Sequence, residues 1–375
     1  MVALNALRQE RHLAWLASGA EFSLGEAGDA PLPPQQLAAL DATSPGVEAV
    51  FEGGLTARVF KLHAHGRRWA IKVERAHSLV HNVDGRTAFL NELQRHAELR
   101  ALRDAGVQLP GVVCPVYGSL RHGVLVSPWI DGETVARFDE RRLQQLYETG
   151  IALVSQGLFE WDFSPGNVID DGHQVWLFDF GYMYRFDPLT QFNSAGQGDD
   201  CPMFHLAERI ETRNAFGWLL DIEHQEGLER ALDSYRMVKR IALGAYGVLC
   251  GTLARRHAAG AVLGWLEGIA AGWTEVLAGD LRRLYLREAW RSHALDLEDD
   301  LHGGSCTPRT LLRADWLIRA ARHAPAALRA AHALFGADEA LSPFALVQRY
   351  CERRLQAEAL QIPASSARRD DPADR

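Results

Sequence analysis

The alternation of apolar and polar residues divides the chain into a strand-rich first part and a helical remainder. After an amphipathic helix over residues 1–20 and a proline-rich break, short runs of Val, Phe, Ile and Trp predict three antiparallel strands within residues 47–76. An apolar stripe at helical spacing then predicts a helix over residues 86–106, and two further short strands follow it. The pattern therefore predicts a small antiparallel sheet that carries one helix.

From Gly132 onward the pattern is mainly helical. The segments NVI and QVWLFDF interrupt it and predict two strands joined by a turn at Asp171-Gly172, since glycine adopts positive φ at no steric cost. Beyond about residue 205, periodic apolar segments separated by Gly or Pro continue to about Gln361. The predicted segments are an N-terminal helix with its linker (1–46), a strand-rich lobe (47–132), a lobe with polar loops (133–220), a helical extension (221–361) and a disordered tail (362–375).

Composition is that of an ordinary soluble protein. The chain of 375 residues is 47% hydrophobic and 23% charged, and a formal net charge of -8 gives no reason to expect a nucleic-acid partner. The 5 cysteines are scattered without a CxxC pair, so reduced thiols and a cytoplasmic location are expected. The charged N-terminus argues against a signal peptide. The longest apolar run, from Ile241, is expected to form a buried helix because it is too short to span a bilayer.

Polar residues interrupt the apolar segments at a few well-spaced positions. Lys72 lies mid-strand in WAIKV, where an unpaired buried ammonium would carry a large desolvation cost. Glu92 and Glu98, both on the following predicted helix, are the candidates for its partner. The remaining polar positions are Asp162 and Asn167 in the segment DFSPGN and Asp179 in the segment LFDFG.

These residues, in this order and spacing, resemble the protein-kinase-like superfamily, and most closely its aminoglycoside phosphotransferase and choline kinase branch, over roughly residues 47–220. The resemblance implies an α+β bilobal fold with a small antiparallel-sheet N-lobe and a large helical C-lobe. It also implies ATP and Mg²⁺ as cofactors. The roles that it implies are phosphate binding by Lys72 with Glu92 as its partner, acceptor deprotonation by Asp162, and metal binding by Asn167 and Asp179.

The sequence departs from this family in two loops. The glycine-rich loop reads EGGLTARV, in which Gly54 matches a glycine position and Gly53 partly compensates, while Glu52 would repel phosphates. The catalytic loop has Glu160 and Trp161 where protein kinases have His and Arg, and no Ala-Pro-Glu motif closes the segment that follows. Both absences weigh against a regulated protein kinase and are common in small-molecule phosphotransferases.

Other segments suggest how the substrates would bind. The connection LVSPWIDGETV would offer the backbone of Ile130 to adenine. Asp199-Asp200 and Glu208 are candidates for the lining of a substrate groove. The acidic run DLEDD at residues 296–300 is interpreted as a solvated helix end rather than as a site for a cationic substrate.

Three functions are compatible with these motifs. The first is an ATP- and Mg²⁺-dependent phosphotransferase that acts on a hydroxyl of a small molecule or, as a close variant, of a protein. The second is a catalytically inactive pseudokinase, a binding or scaffold module, which the poor glycine-rich loop and the Glu160-Trp161 pair favour. The third uses the same fold to transfer the nucleotidyl group of ATP to a protein hydroxyl. The motifs do not identify the acceptor or a protein partner.

Overall fold

A six-stranded antiparallel sheet forms the first lobe. The computed structural model of the chain describes residues 4–195 and 203–362. The strands of the sheet are β1 (Ser23–Leu24), β2 (Val47–Phe51), β3 (Ala57–Ala64), β4 (Arg67–Glu74), β5 (Tyr117–Ser119) and β6 (Val124–Pro128). They lie in the order β1-β5-β6-β4-β3-β2, with each neighbouring pair antiparallel. Strand β4 therefore lies inside the sheet, between β3 and β6.

The hairpin of β3 and β4 shows how the apolar pattern selects this sheet. Alternate residues, Phe60 and Leu62 on β3 and Ile71 and Val73 on β4, are buried in one apolar cluster, because successive side chains of a strand point to opposite faces. Residues 65–66 at the turn have φ values of 53° and 70°, the positive values that a tight turn between twisted strands requires. The predicted meander of three strands is confirmed.

Three helices complete this lobe: α1 (Leu4–Ser18), α2 (Pro34–Ala38) and α3 (Val83–Asp104). Helix α3 begins where the Asn82 side chain accepts a hydrogen bond from the N–H of Gly85 at 2.8 Å, which satisfies one of the free donors of the first turn. Helix α1 lies against α3, and Arg8 of α1 donates to Asp84 of α3 at 2.9 Å. The one helix predicted for this lobe is therefore present as α3, and the predicted N-terminal helix, which the sequence assigned to neither lobe, packs on it as α1.

The second lobe combines short strands with long helices. Its strands form one sheet of three and one pair, made of β7 (Glu133–Thr134), β8 (Leu158–Glu160), β9 (Val168–Asp170), β10 (Val175–Leu177) and β11 (Met183–Arg185). Its helices are α4 (Glu140–Ser155), α5 (Leu206–Ile210), α6 (Phe216–Glu226), α7 (Leu228–Arg255), α8 (Gly260–Leu277), α9 (Leu281–Gly303), α10 (Pro308–His323), α11 (Pro325–Ala330) and α12 (Pro343–Ala359). A π-helical turn, Glu211–Ala215, joins α5 to α6.

One continuous apolar core fills the helical lobe. Leu143 of α4, Phe216 of α6, Trp290 of α9 and Tyr350 of α12 are buried in the same cluster. Helix α7 packs on α4, α6 and α8, so the helices beyond residue 220 share their core with those before it. The α+β class is confirmed, with an antiparallel sheet in the N-terminal part and a larger, mostly helical part after it.

The apolar run that begins at Ile241 belongs to the longer helix α7. The expectation that this segment is too short to span a bilayer is therefore corrected. In the described part of the chain, α7 is the single helix long and apolar enough to cross a membrane, by length and composition alone. Of its most apolar window, 39% is buried inside the protein. One such helix is weak support for a membrane span, because the core helix of a soluble protein meets the same criterion. Leu249 and Leu253 are buried whereas Val248 is 59% exposed, so the helix that was expected to be buried is only partly buried.

A buried ionic cluster ties α7 to the π-helical turn and to α9. The Lys239 ammonium has no exposed surface; it lies 2.7 Å from a carboxylate oxygen of Glu211 and also pairs with Glu288. The Tyr235 hydroxyl donates to Glu288 at 2.5 Å. Burial raises the pKa of Glu211 to about 8. Against the opposing effect of burial, the Lys239 ammonium lowers the pKa of Glu288 to about 2.

This cluster predicts a pH dependence of stability. Folded Glu211 keeps its proton up to a pH of about 8, whereas its ordinary pKa is 4.5. The folded state therefore binds more protons than the unfolded state over this range, and the free energy of unfolding should fall as the pH rises, by up to about 1.4 kcal/mol per pH unit for one proton. Urea unfolding of the wild type and of Glu211→Gln, at several pH values from 5 to 8, measures how the free energy of unfolding of each protein depends on pH. A difference between the two proteins that stays constant with pH would contradict the shift.

Candidate active site

A three-membered ion pair joins the sheet, helix α3 and the segment after β10. Lys72 lies on β4 between two buried apolar residues, so its side chain leaves the opposite face of the sheet. Its Nζ lies 2.7 Å from Oε2 of Glu92 and 2.8 Å from Oδ2 of Asp179. Glu98, the second candidate for Lys72, pairs instead with Arg95 at 3.2 Å. The structure thus brings together three of the predicted site residues.

Asp179 follows β10 by two residues and lies in the left-handed region, with a φ of 66°. Aspartate is among the residues that tolerate this region, and such outliers cluster at functional sites. The side chain remains 32% exposed. Burial raises the pKa of the Asp179 carboxyl, an effect that the neighbouring Lys72 ammonium partly offsets. The N–H of Phe178 donates to the carbonyl of Asn167 at 3.1 Å, which places the two predicted metal ligands beside each other along the hairpin.

Asn91 was absent from the sequence hypotheses. Its buried amide Nδ2 lies 2.9 Å from the carbonyl oxygens of Gly181 and Met183 and 3.2 Å from that of Phe180. These bonds hold the segment after Asp179 against α3. The only local signal was a polar residue on a helix face that is otherwise apolar, next to the predicted glutamate.

Asp162 and Asn167 lie on a short loop between β8 and β9. The Asn167 amide nitrogen donates to Oδ2 and to the carbonyl of Asp162, both at 3.1 Å. The N–H of Ser164 donates to Oδ1 of Asp162 at 3.2 Å. The amide oxygen of Asn167 accepts no hydrogen bond from the residues that the structure describes, so it is available to a cation.

The donor set fits Mg²⁺. This cation prefers oxygen ligands and is usually held by one or two protein groups, with phosphates and water completing its shell. The Asp179 carboxylate and the Asn167 amide oxygen supply two such groups. Within residues 4–195 and 203–362, no cluster of three or more His, Cys, Asp or Glu residues could hold a metal without help from a ligand. The site is therefore suited to a metal that arrives with phosphate oxygens.

An arginine beyond the predicted loops orients Asp162. The Nε of Arg213, in the π-helical turn, donates to Oδ1 of Asp162 at 3.2 Å, while its Nη1 pairs with Asp296 of α9. Asp296 is 7% exposed and also lies 2.9 Å from Arg313. The interpretation of residues 296–300 as a solvated helix end is therefore wrong for Asp296. The acidic run carries no local sign of its basic partners, which are distant in sequence.

Glu160 holds the same loop through a hydrogen bond to its backbone. Its Oε1 accepts the N–H of Asp162 at 2.7 Å, and the residue is only 3% exposed. Burial raises the pKa of Glu160 well above its ordinary value. The Glu160 carboxyl group thus fixes the backbone of Asp162, at the position where protein kinases have a histidine.

The glycine-rich loop connects β2 and β3, and both Gly53 and Gly54 are exposed there. A Cβ on Gly54 would come within 2.4 Å of the carbonyl oxygen of Ala57, so a side chain does not fit. Arg75, the residue after β4, holds the loop: its Nε donates to the Gly54 carbonyl at 2.9 Å, and its Nη2 lies 3.3 Å from the Glu52 carboxylate. Since Glu52 is paired, the repulsion expected from its charge is reduced.

The predicted adenine contact lies directly after β6. The N–H of Trp129 donates to the carbonyl of Arg68 at 3.0 Å, whereas Ile130 makes no backbone hydrogen bond to another described residue. Glu208, a candidate for the substrate groove, is held by the guanidinium of Arg209 at 2.7 Å. Its proposed companions Asp199-Asp200 lie outside the described residues.

These features define a class of fold. The arrangement is kinase-like. A sheet carries an internal lysine, and a glutamate on the following helix binds that lysine. The helical lobe carries the loop with Asp162 and Asn167 and the segment with Asp179.

Comparison with known proteins adds little to this assignment. No family model and no curated protein matches the chain. Among solved structures, vaccinia related kinase 3 is 13% identical over 41% of this chain and 56% of its own, with a TM-score of 0.27. The bifunctional kinase-methyltransferase WbdD is 20% identical over 35% of this chain and 31% of its own, with a TM-score of 0.26. The chain thus spans about half and about a third of these proteins, and likenesses at such TM-scores carry no argument.

Proposed function

We propose that this chain is an ATP- and Mg²⁺-dependent phosphotransferase that moves the γ-phosphoryl group of ATP to a hydroxyl of a small molecule. The observation that carries the proposal is the joint ion pair of Lys72 with Glu92 and Asp179. A buried lysine held between two carboxylates, one of which remains accessible to solvent, is prepared to exchange that carboxylate contact for phosphate oxygens.

Each residue has a distinct task in this proposal. Glu92 holds Lys72 in place, and Lys72 binds the α- and β-phosphates. Asp179 and Asn167 hold Mg²⁺, which neutralises charge on the phosphates when bound. Asp162 accepts the proton of the attacking hydroxyl, a role that requires hydrogen-bond reach and a fixed orientation. Positioning and charge neutralisation account for most of the catalysis in phosphoryl transfer.

Nucleotide contacts complete the proposed cleft. The free backbone groups of Ile130 suit the edge of adenine, because a base edge offers one donor and one acceptor at this spacing. Gly53 and Gly54 allow the backbone to approach the phosphates without interference from a Cβ. The Arg75 contacts to this loop favour a functional phosphate-binding segment over the degraded one of a pseudokinase.

A small-molecule acceptor is favoured over a protein acceptor. The loop that carries Asp162 lacks the arginine through which a phosphorylated activation segment would be organised. The resemblance to the aminoglycoside phosphotransferase and choline kinase branch supports the same choice. A cytoplasmic location is proposed with it, since the substrate ATP and reduced thiols both occur there.

The test of this function is a thermal melt with and without ATP and Mg²⁺. At a ligand concentration of 100 times Kd, the wild type should gain about 2.7 kcal/mol, a shift of a few degrees. Asp179→Ala should lose the shift, because it removes the carboxylate that holds the metal. Asp233→Ala, which removes an exposed aspartate on α7, should keep it.

Two outcomes would contradict the proposal. A wild type that does not shift at millimolar ATP would favour the pseudokinase hypothesis. A mass spectrum of protein incubated with ATP that shows a gain of AMP on a hydroxyl, without phosphorylation, would favour nucleotidyl transfer.

A further inference from the structure

A cavity of about 500 Å³ lies between α1, α3 and the segment that starts with β11. None of the proposed catalytic residues lines it. Its charged walls are four arginines from three different elements, and no carboxylate from the described residues belongs to its lining. The arginines are Arg8 and Arg11 of α1, Arg95 of α3 and Arg185 of β11.

The charges around this cavity do not balance. Asp84 pairs with Arg8 at 2.9 Å. Glu98 pairs with Arg95 at 3.2 Å and also with Arg185. Among the described residues, two carboxylates therefore pair with the arginines of this cavity, and an excess of two positive charges remains. A phosphate monoester carries about 1.5 to 2 negative charges at neutral pH, which matches this excess.

Two donors at the cavity, the Nε atoms of Arg8 and Arg95, are buried without a partner among the described residues. The Nδ1 of His12 also has no partner there, and it donates or accepts according to the tautomer of the ring. His12 lines the cavity and is only 8% exposed. Burial, reinforced by Arg8 and Arg95, lowers the pKa of His12 to about 4, so its ring is neutral at physiological pH. Unsatisfied buried donors are rare in proteins, and here they call for a ligand rich in acceptor oxygens.

The remaining walls are apolar or aromatic. Leu7 and Trp15 of α1 line the cavity and are 38% and 37% exposed, and Tyr184 and Phe186 face them in the lining. The volume is far larger than a bare phosphate needs and lies in the range of about 300–1,000 Å³ typical of small-molecule sites. The occupant should therefore have an apolar body as well as a phosphate.

We propose that this cavity binds an organic phosphate monoester, with its phosphate on the arginines and an aromatic body against the exposed side chains of Leu7 and Trp15. Such a ligand contacts α1, α3 and β11 together. It thereby ties the N-terminal helix to the helix that carries Glu92 and to the strand that follows Asp179. The site is separate from the ATP cleft and does not depend on the proposed function.

Isothermal titration of the full chain with phenyl phosphate tests the site. The wild type should bind one equivalent, with an affinity that falls as salt is added. Arg11→Gln should weaken binding by about 3- to 10-fold and Arg95→Gln by about 10-fold or more, since each removes a charge-assisted hydrogen bond. Arg67→Gln, a control at an exposed arginine of β4, should bind like the wild type. Inorganic phosphate should bind at least about 10-fold more weakly, because it lacks the aromatic contacts.

The outcomes that would overturn the proposal are distinct. No heat at millimolar phenyl phosphate would exclude the site. Binding that survives both arginine substitutions but is lost in Asp179→Ala would place the ligand in the ATP cleft instead. Equal affinity for inorganic phosphate and phenyl phosphate would show that the aromatic body of the ligand makes no contact that contributes to binding. Arg11 forms no ion pair with a described residue, so Arg11→Gln tests the site even where Arg95→Gln fails to fold.

Discussion

Replacing Lys239 with methionine should lower the free energy of unfolding by about 3–5 kcal/mol. The substitution keeps most of the apolar stem of the side chain but removes the ammonium that pairs with Glu211 and Glu288. Glu288 would then keep only Arg287, 3.6 Å away, as a basic partner, and either its poorly compensated charge or its forced protonation destabilises the fold. Urea unfolding at pH 7, with the midpoint and slope both fitted, measures the loss.

A matched double variant separates loss of the ion pair from loss of packing. Lys239→Met with Glu288→Gln leaves no unpaired charge, so it should recover much of the stability that the single variant loses. A single variant that loses less than about 1 kcal/mol would show that water reaches this cluster. A double variant as unstable as the single one would instead assign the loss to packing around Tyr235 and Trp273, whose rings flank the ammonium.

Asp162→Asn should lower the rate of phosphoryl transfer by about two to four orders of magnitude. Asparagine fills the same volume, and its one oxygen can keep the hydrogen bonds from Ser164 and Arg213, whereas its NH2 group cannot accept the bond that Oδ2 accepts from Asn167. It also cannot accept the proton of the attacking hydroxyl. The affinity for ATP with Mg²⁺ should change little, because Asp162 is not among the proposed metal ligands. Transfer of labelled γ-phosphate to a panel of hydroxyl-bearing small molecules, aminoglycosides and choline included, provides the rate.

The control for this prediction is Asp233→Asn, an equivalent substitution on the exposed surface of α7. It should retain the wild-type rate. If Asp162→Asn kept more than about a tenth of the rate, Asp162 would not be the general base. A comparable loss of nucleotide affinity would instead make Asp162 a metal ligand.

The parts of the molecule that depend on local pattern were predictable from the sequence. The hairpin of β3 and β4 follows from alternating apolar residues and the turn at residues 65–66, and α3 follows from its apolar spacing. Because an unpaired lysine in the middle of a strand has a large desolvation cost, the sequence predicted that Lys72 has a partner, and the structure gives it Glu92 and Asp179. Glu92 could be preferred to Glu98 only through the family spacing, because both lie on the same helix.

The parts that depend on long-range contacts were not predictable. Strand β1 is two residues long and exists because it pairs with β5, about 95 residues away in sequence. Arg213 and Asp296 belong to different helical segments, and nothing near either one indicates that they meet. The mistaken interpretation of Asp296 has this cause. A charged residue looks solvated in a sequence whenever its counterion is remote.

The salt bridge between Arg213 and Asp296 limits how this protein can be shortened or recombined. The catalytic-type loop ends well before residue 220, yet the guanidinium that orients it is neutralised from α9. A fragment cut at that boundary, or a chimera that grafts a foreign helical extension onto this lobe, would leave Arg213 without its counterion and Asp162 with a misplaced partner. The loop that carries Asp162 and the helical extension are therefore not independent modules here, and the two have to change together.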